Sequence, residues 1–300
     1  MANIFNLAVD ESGIGVITFD AVGETMNTWT ERAFLSFERI MQELEIAKGI
    51  RGIIFISGKP EHFLAGAALK MLARIESADE MRRILDHVHD SFARLAALGF
   101  PSIAAIHGHC LGGGLEFALA CKARIGKDGK NTLIGLPECN AGLFPGGGGT
   151  QRLPRLIGYG AFELILQGTI LSAAKAYEMG ILDRLIPADG DLLASARSFL
   201  EEILAGKADL NRPVQDFSQI DAIAEMAKAG IRKTTQGREI PGPMLALESM
   251  HQGLKRPLEQ GLEIEKANFV EVVLSKEAKE NLNTFFVKEI SEETDRLGLE

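Results

Sequence analysis

The pattern of the chain predicts an α/β fold, on two observations. Strand-length apolar runs alternate with segments of helical periodicity through the first two thirds. Two of those runs, at 52–57 and 102–106, read as short apolar strands buried inside a sheet. Strands are expected at 7–9 and 15–20 around an acidic turn, Glu11-Ser12-Gly13. Residues 30–48 form a helix, because Phe34, Phe37, Ile40, Met41 and Leu44 recur at spacings of three and four. A loop at 58–68 follows the strand at 52–57. Ser77-Ala78-Asp79-Glu80 has capping-box spacing and opens a helix to about residue 98. The strand at 102–106 leads into Gly112-Gly113-Gly114 and a short helix to Cys121, then a strand at 131–136 and a glycine-rich loop at 145–149. A compact helix at 172–179 with Gly180 in the C′ position and a strand at 181–186 close the alternation. From about residue 191 helical patterns dominate, ending in a long amphipathic stretch at 258–288. A boundary near 205 separates an α/β core (1–205) carrying the active site from a helical region (206–300).

Composition narrows the function classes. The chain has 300 residues, 46% of them hydrophobic, and a net charge of −9. Disorder is excluded, and a general nucleic-acid binder would need a basic face that this balance does not supply. Three cysteines without CxxC spacing argue against a disulfide scaffold or a zinc ribbon. The N-terminus lacks a signal-peptide pattern. The most apolar region, 100–121, is interrupted by His107, His109, three glycines and Glu116, so no membrane span is expected. A cytoplasmic location is the expectation.

Two carboxylates stand out. Glu116 is the one polar side chain in the helix 113–121, which is apolar on every face and should be buried. Glu138 follows 22 residues later, between Leu136-Pro137 and an apolar, glycine-rich stretch. Paired acids in dry surroundings suit general acid/base work near neutral pH, because burial raises their pKa values and repulsion separates them. A structural Glu116, paired with a buried arginine or capping backbone, fits the same pattern. The glycines at 112–114 bare helix N-terminal N–H groups suited to an oxyanion, and Ala65-Gly66-Ala67 offers a similar turn. Tight packing would explain these glycines as well.

Other readings fail on spacing. No cluster matches G-x-G-x-x-G, a P-loop or a nucleophile elbow. His107, His109 and Cys110 lie close together, and 107 and 109 would share a face if the strand extends that far. No third ligand cluster has suitable spacing, so no metal is assigned.

Taken as a set, three stretches resemble the enoyl-CoA hydratase/isomerase (crotonase) superfamily: Phe63-Leu64-Ala65-Gly66-Ala67; Ala104 through His107-Gly108-His109-Cys110-Leu111-Gly112-Gly113-Gly114-Leu115-Glu116; and Gly135-Leu136-Pro137-Glu138 through Pro145-Gly146-Gly147-Gly148-Gly149-Thr150-Gln151-Arg152-Leu153-Pro154. The chain most resembles the N-terminal hydratase/isomerase region of multifunctional fatty-acid β-oxidation α chains. The resemblance implies a spiral of ββα units followed by C-terminal helices, which in the family support a homo-oligomer of trimer type. It implies an enoyl-CoA hydratase: Glu116 and Glu138 as catalytic acids, Ala67 and Gly113 N–H groups as the oxyanion hole, and Gly146 holding water. Ala65, Gly66, Gly112 and Lys70 contact the acyl-CoA substrate, Lys70 near the CoA phosphates. Coenzyme A enters with the substrate, and no separate cofactor is implied. The family loop usually reads Ala-Gly-Ala-Asp, whereas Ala68 stands here at the Asp position. Multifunctional α chains continue into a dehydrogenase; this chain ends at Glu300 without one, so no dehydrogenase activity is expected. It reads as a stand-alone relative or an excised piece that would belong to a β-oxidation complex. A 3-enoyl-CoA isomerase, which runs on one glutamate matching Glu138, and a non-catalytic acyl-CoA-binding member are the alternatives.

Overall fold

The computed structural model describes residues 3–66, 69–210, 212–235 and 240–282, the side chains at 69 and 70 excepted. β1 (Phe5–Val9) and β2 (Ile14–Phe19) form an antiparallel hairpin, Phe5 opposite Phe19 and Val9 opposite Gly15. The Asp10 carboxylate closes its turn by accepting from the N–H groups of Ser12 and Ile14. α1 (Glu31–Ile46) is capped by Thr30, whose hydroxyl accepts from the Ala33 N–H. Its expected stripe, Phe34 through Leu44, is buried. Then come β3 (Gly52–Ser57), β4 (His62–Leu64), α2 (Leu69–Ala73) and α3 (Ala78–Ala96). Ser77 occupies the N-cap of α3, but its side chain makes no capping bond, so the capping box read in the sequence does not form.

β5 (Ser102–Ile106), β6 (His109–Leu111), α4 (Gly113–Ala120), β7 (Ala123–Lys127) and β8 (Leu133–Gly135) follow, then a 3₁₀ turn at Pro137–Ala141. The rest is α5 (Gly149–Ile157), α6 (Gly160–Leu166), β9 (Ile170–Ser172), α7 (Ala173–Glu178), β10 (Arg184–Ile186), α8 (Leu192–Leu204), α9 (Ile220–Thr234), α10 (Pro241–Gly253) and α11 (Leu258–Leu274). Among the described residues the strands form two sheets, ordered β1-β2-β3-β5-β7-β10 and β4-β6-β8-β9. Of the consecutive pairs β3–β4, β5–β6 and β7–β8, the first strand joins one sheet and the second the other. Apart from β1–β2 and β8–β9, neighbours run parallel. This repeated step between sheets is the spiral of ββα units. Gly108 makes one such step at φ +65°, where a Cβ would lie 2.0 Å from the Glu61 carbonyl oxygen.

Side chains alternate across the first sheet as period-two geometry requires. Ile54, Ile103, Ala105 and Ile125 pack under α8 with Phe199 and Leu200, while Ile53, Phe55, Ala104 and Ile106 face the main core. That core is rich in aromatics: Trp29 stacks on Phe34 at 4.6 Å and meets Phe117 edge-on at 5.7 Å. Among the described residues no helix is long and apolar enough to cross a membrane.

Several expectations are corrected. The strand at 102–106 ends before His107. His107 Nε2 bonds the Lys59 carbonyl, while His109 opens β6 in the other sheet beside His62, so 107 and 109 share no strand face. β4, β6 and β9 are three residues each, too short to show a period. β7 carries Arg124, 1% exposed, whose guanidinium bonds the carbonyls of Ala118, Cys121 and Ile181 and the Asp183 carboxylate. A charged residue in mid-strand masks the strand in a hydropathy pattern. The run expected to be one helix over 258–288 ends at Leu274, becomes extended at Ser275 and resumes at 276–282, with the remainder outside the described residues.

Candidate active site

α4 is buried on all sides, as its sequence requires, and Glu116 in its first turn is 4% exposed. Its Oε1 accepts from the N–H groups of Gly147 (2.7 Å) and Gly149 (2.8 Å). The backbone-capping role considered from sequence is therefore real, and it occupies only one of the two oxygens. Burial, then the Glu265 charge, pushes the Glu116 carboxyl up to about 7, against the pull of the Gly149 and Gly147 N–H groups and of His89.

Glu138 projects from the 3₁₀ turn into the same space. Its Oε2 is buried without a hydrogen-bond partner. Burial and the neighbouring Glu116 hold its carboxyl well above the usual carboxylate range, with a smaller push from Glu265 and an opposing pull from its own backbone N–H. The two acids thus differ: Glu116 has donors for its charged form, and Glu138 has an empty oxygen.

Both line one cavity of about 360 Å³, and so do Ala65, Gly66, Gly112, Gly113 and Gly146. The rest of its wall is largely apolar, with Met81, Leu85, Val88 and Phe92 from α3 facing Leu143, Phe144 and Phe269. Gly113 opens α4, so the helix itself provides no acceptor for its N–H. Its carbonyl is held by the Trp29 indole N–H at 3.1 Å, and the Trp29 backbone N–H bonds the Gly66 carbonyl at 2.8 Å. One residue thus ties the two glycine turns together. Trp29→Phe keeps an aromatic ring but loses the indole bond and part of the buried ring volume; chemical denaturation is expected to show a loss of about 1–3 kcal/mol.

Ala67 and Ala68 lie outside the described residues, as does the side chain of Lys70 at the start of α2. The oxyanion partner and the phosphate contact expected there are carried no further by the structure.

Sequence reading missed three members of the site: Trp29, His89 and Glu265. Glu265 is fully buried on α11, in the stripe Leu262, Glu265, Phe269, Val272. It accepts from the Gly148 N–H (2.6 Å), the Thr150 N–H (3.0 Å) and the Thr150 hydroxyl (2.5 Å). His89 sits in the buried stripe of α3, its Nε2 2.7 Å from the Gly146 carbonyl and 3.5 Å from Glu265 Oε1. Glu265 and His89 each stand as a polar residue at an apolar helical position, whereas Trp29 precedes α1 and carries no such signal. Among the described residues no group of three or more His, Cys, Asp or Glu side chains is gathered to hold a metal ion.

Comparison with known proteins fits this geometry. The fatty acid oxidation complex subunit alpha of Shewanella frigidimarina (strain NCIMB 400) is 37% identical over 306 residues, 99% of this chain but 43% of that protein. The same subunit of Shewanella sp. (strain MR-4) is 38% identical over 310 residues, again 43% of its length. The chain therefore spans less than half of the curated relatives it matches. Among solved structures, enoyl-CoA hydratase from Bacillus anthracis shares 27% identity at a TM-score of 0.62, covering 95% of this chain and 96% of that one. Human mitochondrial delta3-delta2-enoyl-CoA isomerase, 21% identical and covering 96% and 99%, is alike in fold at a TM-score of 0.69. Residues 10–237 match the family model for enoyl-CoA hydratase/isomerase, and with both glutamates and the glycine turns meeting in one cavity inside that span, the chain belongs to the enoyl-CoA hydratase/isomerase family.

Proposed function

We propose that this chain hydrates 2-enoyl-CoA thioesters to 3-hydroxyacyl-CoA, as a β-oxidation enzyme. The observation that carries the reading is the pair of unlike buried carboxyls, Glu116 and Glu138, in one apolar cavity. The thioester oxygen lies at the Gly113 N–H, with the Ala67 N–H as second donor, where negative charge grows as the enolate forms. The Glu116 carboxylate takes a proton from the water, held with help from the Gly146 N–H, as its oxygen bonds to Cβ. Glu138, kept protonated by its dry surroundings, gives its proton to Cα. One C–O and one C–H bond form, the double bond is lost, and the two acids exchange protonation states. Coenzyme A arrives as part of the substrate, and the Lys70 ammonium meets its phosphates. The α3 wall receives the acyl chain.

Addition of a short-chain 2-enoyl-CoA should be followed by loss of the enoyl-thioester absorbance; a wild-type chain inactive at every acyl length would defeat the proposal. The pH profile is a second check. Rate falls as pH drops through about 7, where Glu116 takes up its proton, and falls again at higher pH as Glu138 loses its own. A bell-shaped kcat/KM results, its limbs belonging to the pair.

Isomerisation of 3-enoyl-CoA is a second reading. It is favoured by the unpartnered Glu138 Oε2, since one carboxyl that accepts and returns a proton suffices. Product analysis with a 3-enoyl-CoA separates the two.

A further inference from the structure

The turn from Gly146 to Thr150 presents its amides to two carboxylates in strict alternation. Gly147 and Gly149 donate to Glu116; Gly148 and Thr150 donate to Glu265. Successive N–H groups that point to opposite sides can be held only if both sides have acceptors. A helix built for packing alone would carry an apolar residue at 265, because burying a carboxylate is costly unless donors surround it. Here three donors do.

We propose that Glu265 is a positioning residue of this site: from α11 it anchors alternate amides of the 146–150 turn so that the intervening ones hold Glu116, and its buried charge acts on that carboxyl through space. The proposal rests on the reading of Glu116 as the base. A carboxylate is needed at 265, because both of its oxygens accept. A glutamine would turn an NH₂ toward either the Gly148 N–H or the Thr150 donors. An aspartate keeps the charge but is one methylene short.

The charged and titratable groups around the pair come from every neighbouring element. They are Glu116 from α4, Glu138 from the 3₁₀ turn, His89 from α3, and Arg152 and Arg155 from α5. Lys266, next along α11, is engaged by Asp86 and Glu263. Of the charges acting on Glu116, Glu265 contributes the largest push, upward, and His89 a smaller pull downward. His89 itself is raised, its burial outweighed by the bond and charge of Glu265, the Gly146 carbonyl and Glu116.

The test is a ¹³C NMR titration of carboxyl-labelled glutamates, run beside the kcat/KM pH profile on wild type, Glu265→Gln and Glu265→Asp. In Glu265→Gln the Glu116 midpoint is expected to fall by on the order of one pH unit, because the Glu265 charge acts on that carboxyl more strongly than either turn N–H, and the acid limb of the profile to move with it. In Glu265→Asp the midpoint stays near wild type while kcat falls about tenfold or more, the cost of a misplaced turn. An unmoved Glu116 midpoint in folded Glu265→Gln overturns the electrostatic role. Wild-type kcat in Glu265→Asp overturns the positioning role, and this arm stands even if the glutamine variant fails to fold. A wild type that titrates as described but hydrates nothing would sink the hydratase reading and leave the NMR result to decide the proposal.

Discussion

Replacing Glu138 by glutamine is expected to lower kcat for 2-enoyl-CoA hydration by about 10²-fold or more, the usual scale for a positioned acid or base. The amide keeps the size of the side chain and its place on the 3₁₀ turn, so KM should stay within a few-fold. What goes is the proton that reaches Cα. Folding should not suffer, because wild-type Glu138 is itself held protonated and its Oε2 has no partner to lose. Because Glu138 is neutral while Glu116 titrates, the exchange of carboxyl for amide should leave the Glu116 midpoint close to that of the wild type. Steady-state kinetics and a thermal melt check both halves. A large fall in kcat together with a large fall in Tm would point to a collapsed site instead of a missing acid.

How much of this site the sequence displays depends on how each residue betrays itself. Glu116 is legible because it is the one polar residue in a helix with no polar face, and that incongruity survives without coordinates. Glu138 is legible for a similar reason, set among apolar residues and glycines. Glu265 breaks the same rule on α11, but Glu and Lys crowd that segment, and one more carboxylate looks like a solvated face. Its partners, Gly148 and Thr150, are more than 100 residues away, a proximity created only when α11 packs against α5. His89 is hidden likewise among Leu85, Val88 and Phe92. The fold shows the same division. Long periodic elements such as α1 and α3 announce themselves, whereas β4, β6 and β9 are strands by virtue of their neighbours' hydrogen bonds, which no local pattern records.

Gly112→Ala is expected to lower kcat by about 10²-fold with a loss of about 1–2 kcal/mol in stability, and the two losses have separate causes. Gly112 has φ +54° and ψ −128°, a glycine-favouring backbone region outside the left-handed helix that costs an L-residue about 1–2 kcal/mol. That accounts for the stability. The activity loss comes from position: a Cβ there would lie 2.6 Å from Glu138 Oε1, well inside van der Waals contact. Backbone on one side cannot yield, because the Gly112 N–H is bonded to the Gly135 carbonyl and its own carbonyl takes the Leu115 and Glu116 N–H groups. Glu138 must therefore move, and an ångström of misplacement is worth about 10²-fold. The same glycine anchors the first turn of α4, which carries the Gly113 N–H. Binding of a non-hydratable acyl-CoA, measured by calorimetry, should weaken less than kcat, since the thioester oxygen keeps its donor while the proton source is displaced. If kcat falls and binding holds, Gly112 is glycine to leave room for the acid; if binding falls in step with kcat, the turn itself has given way.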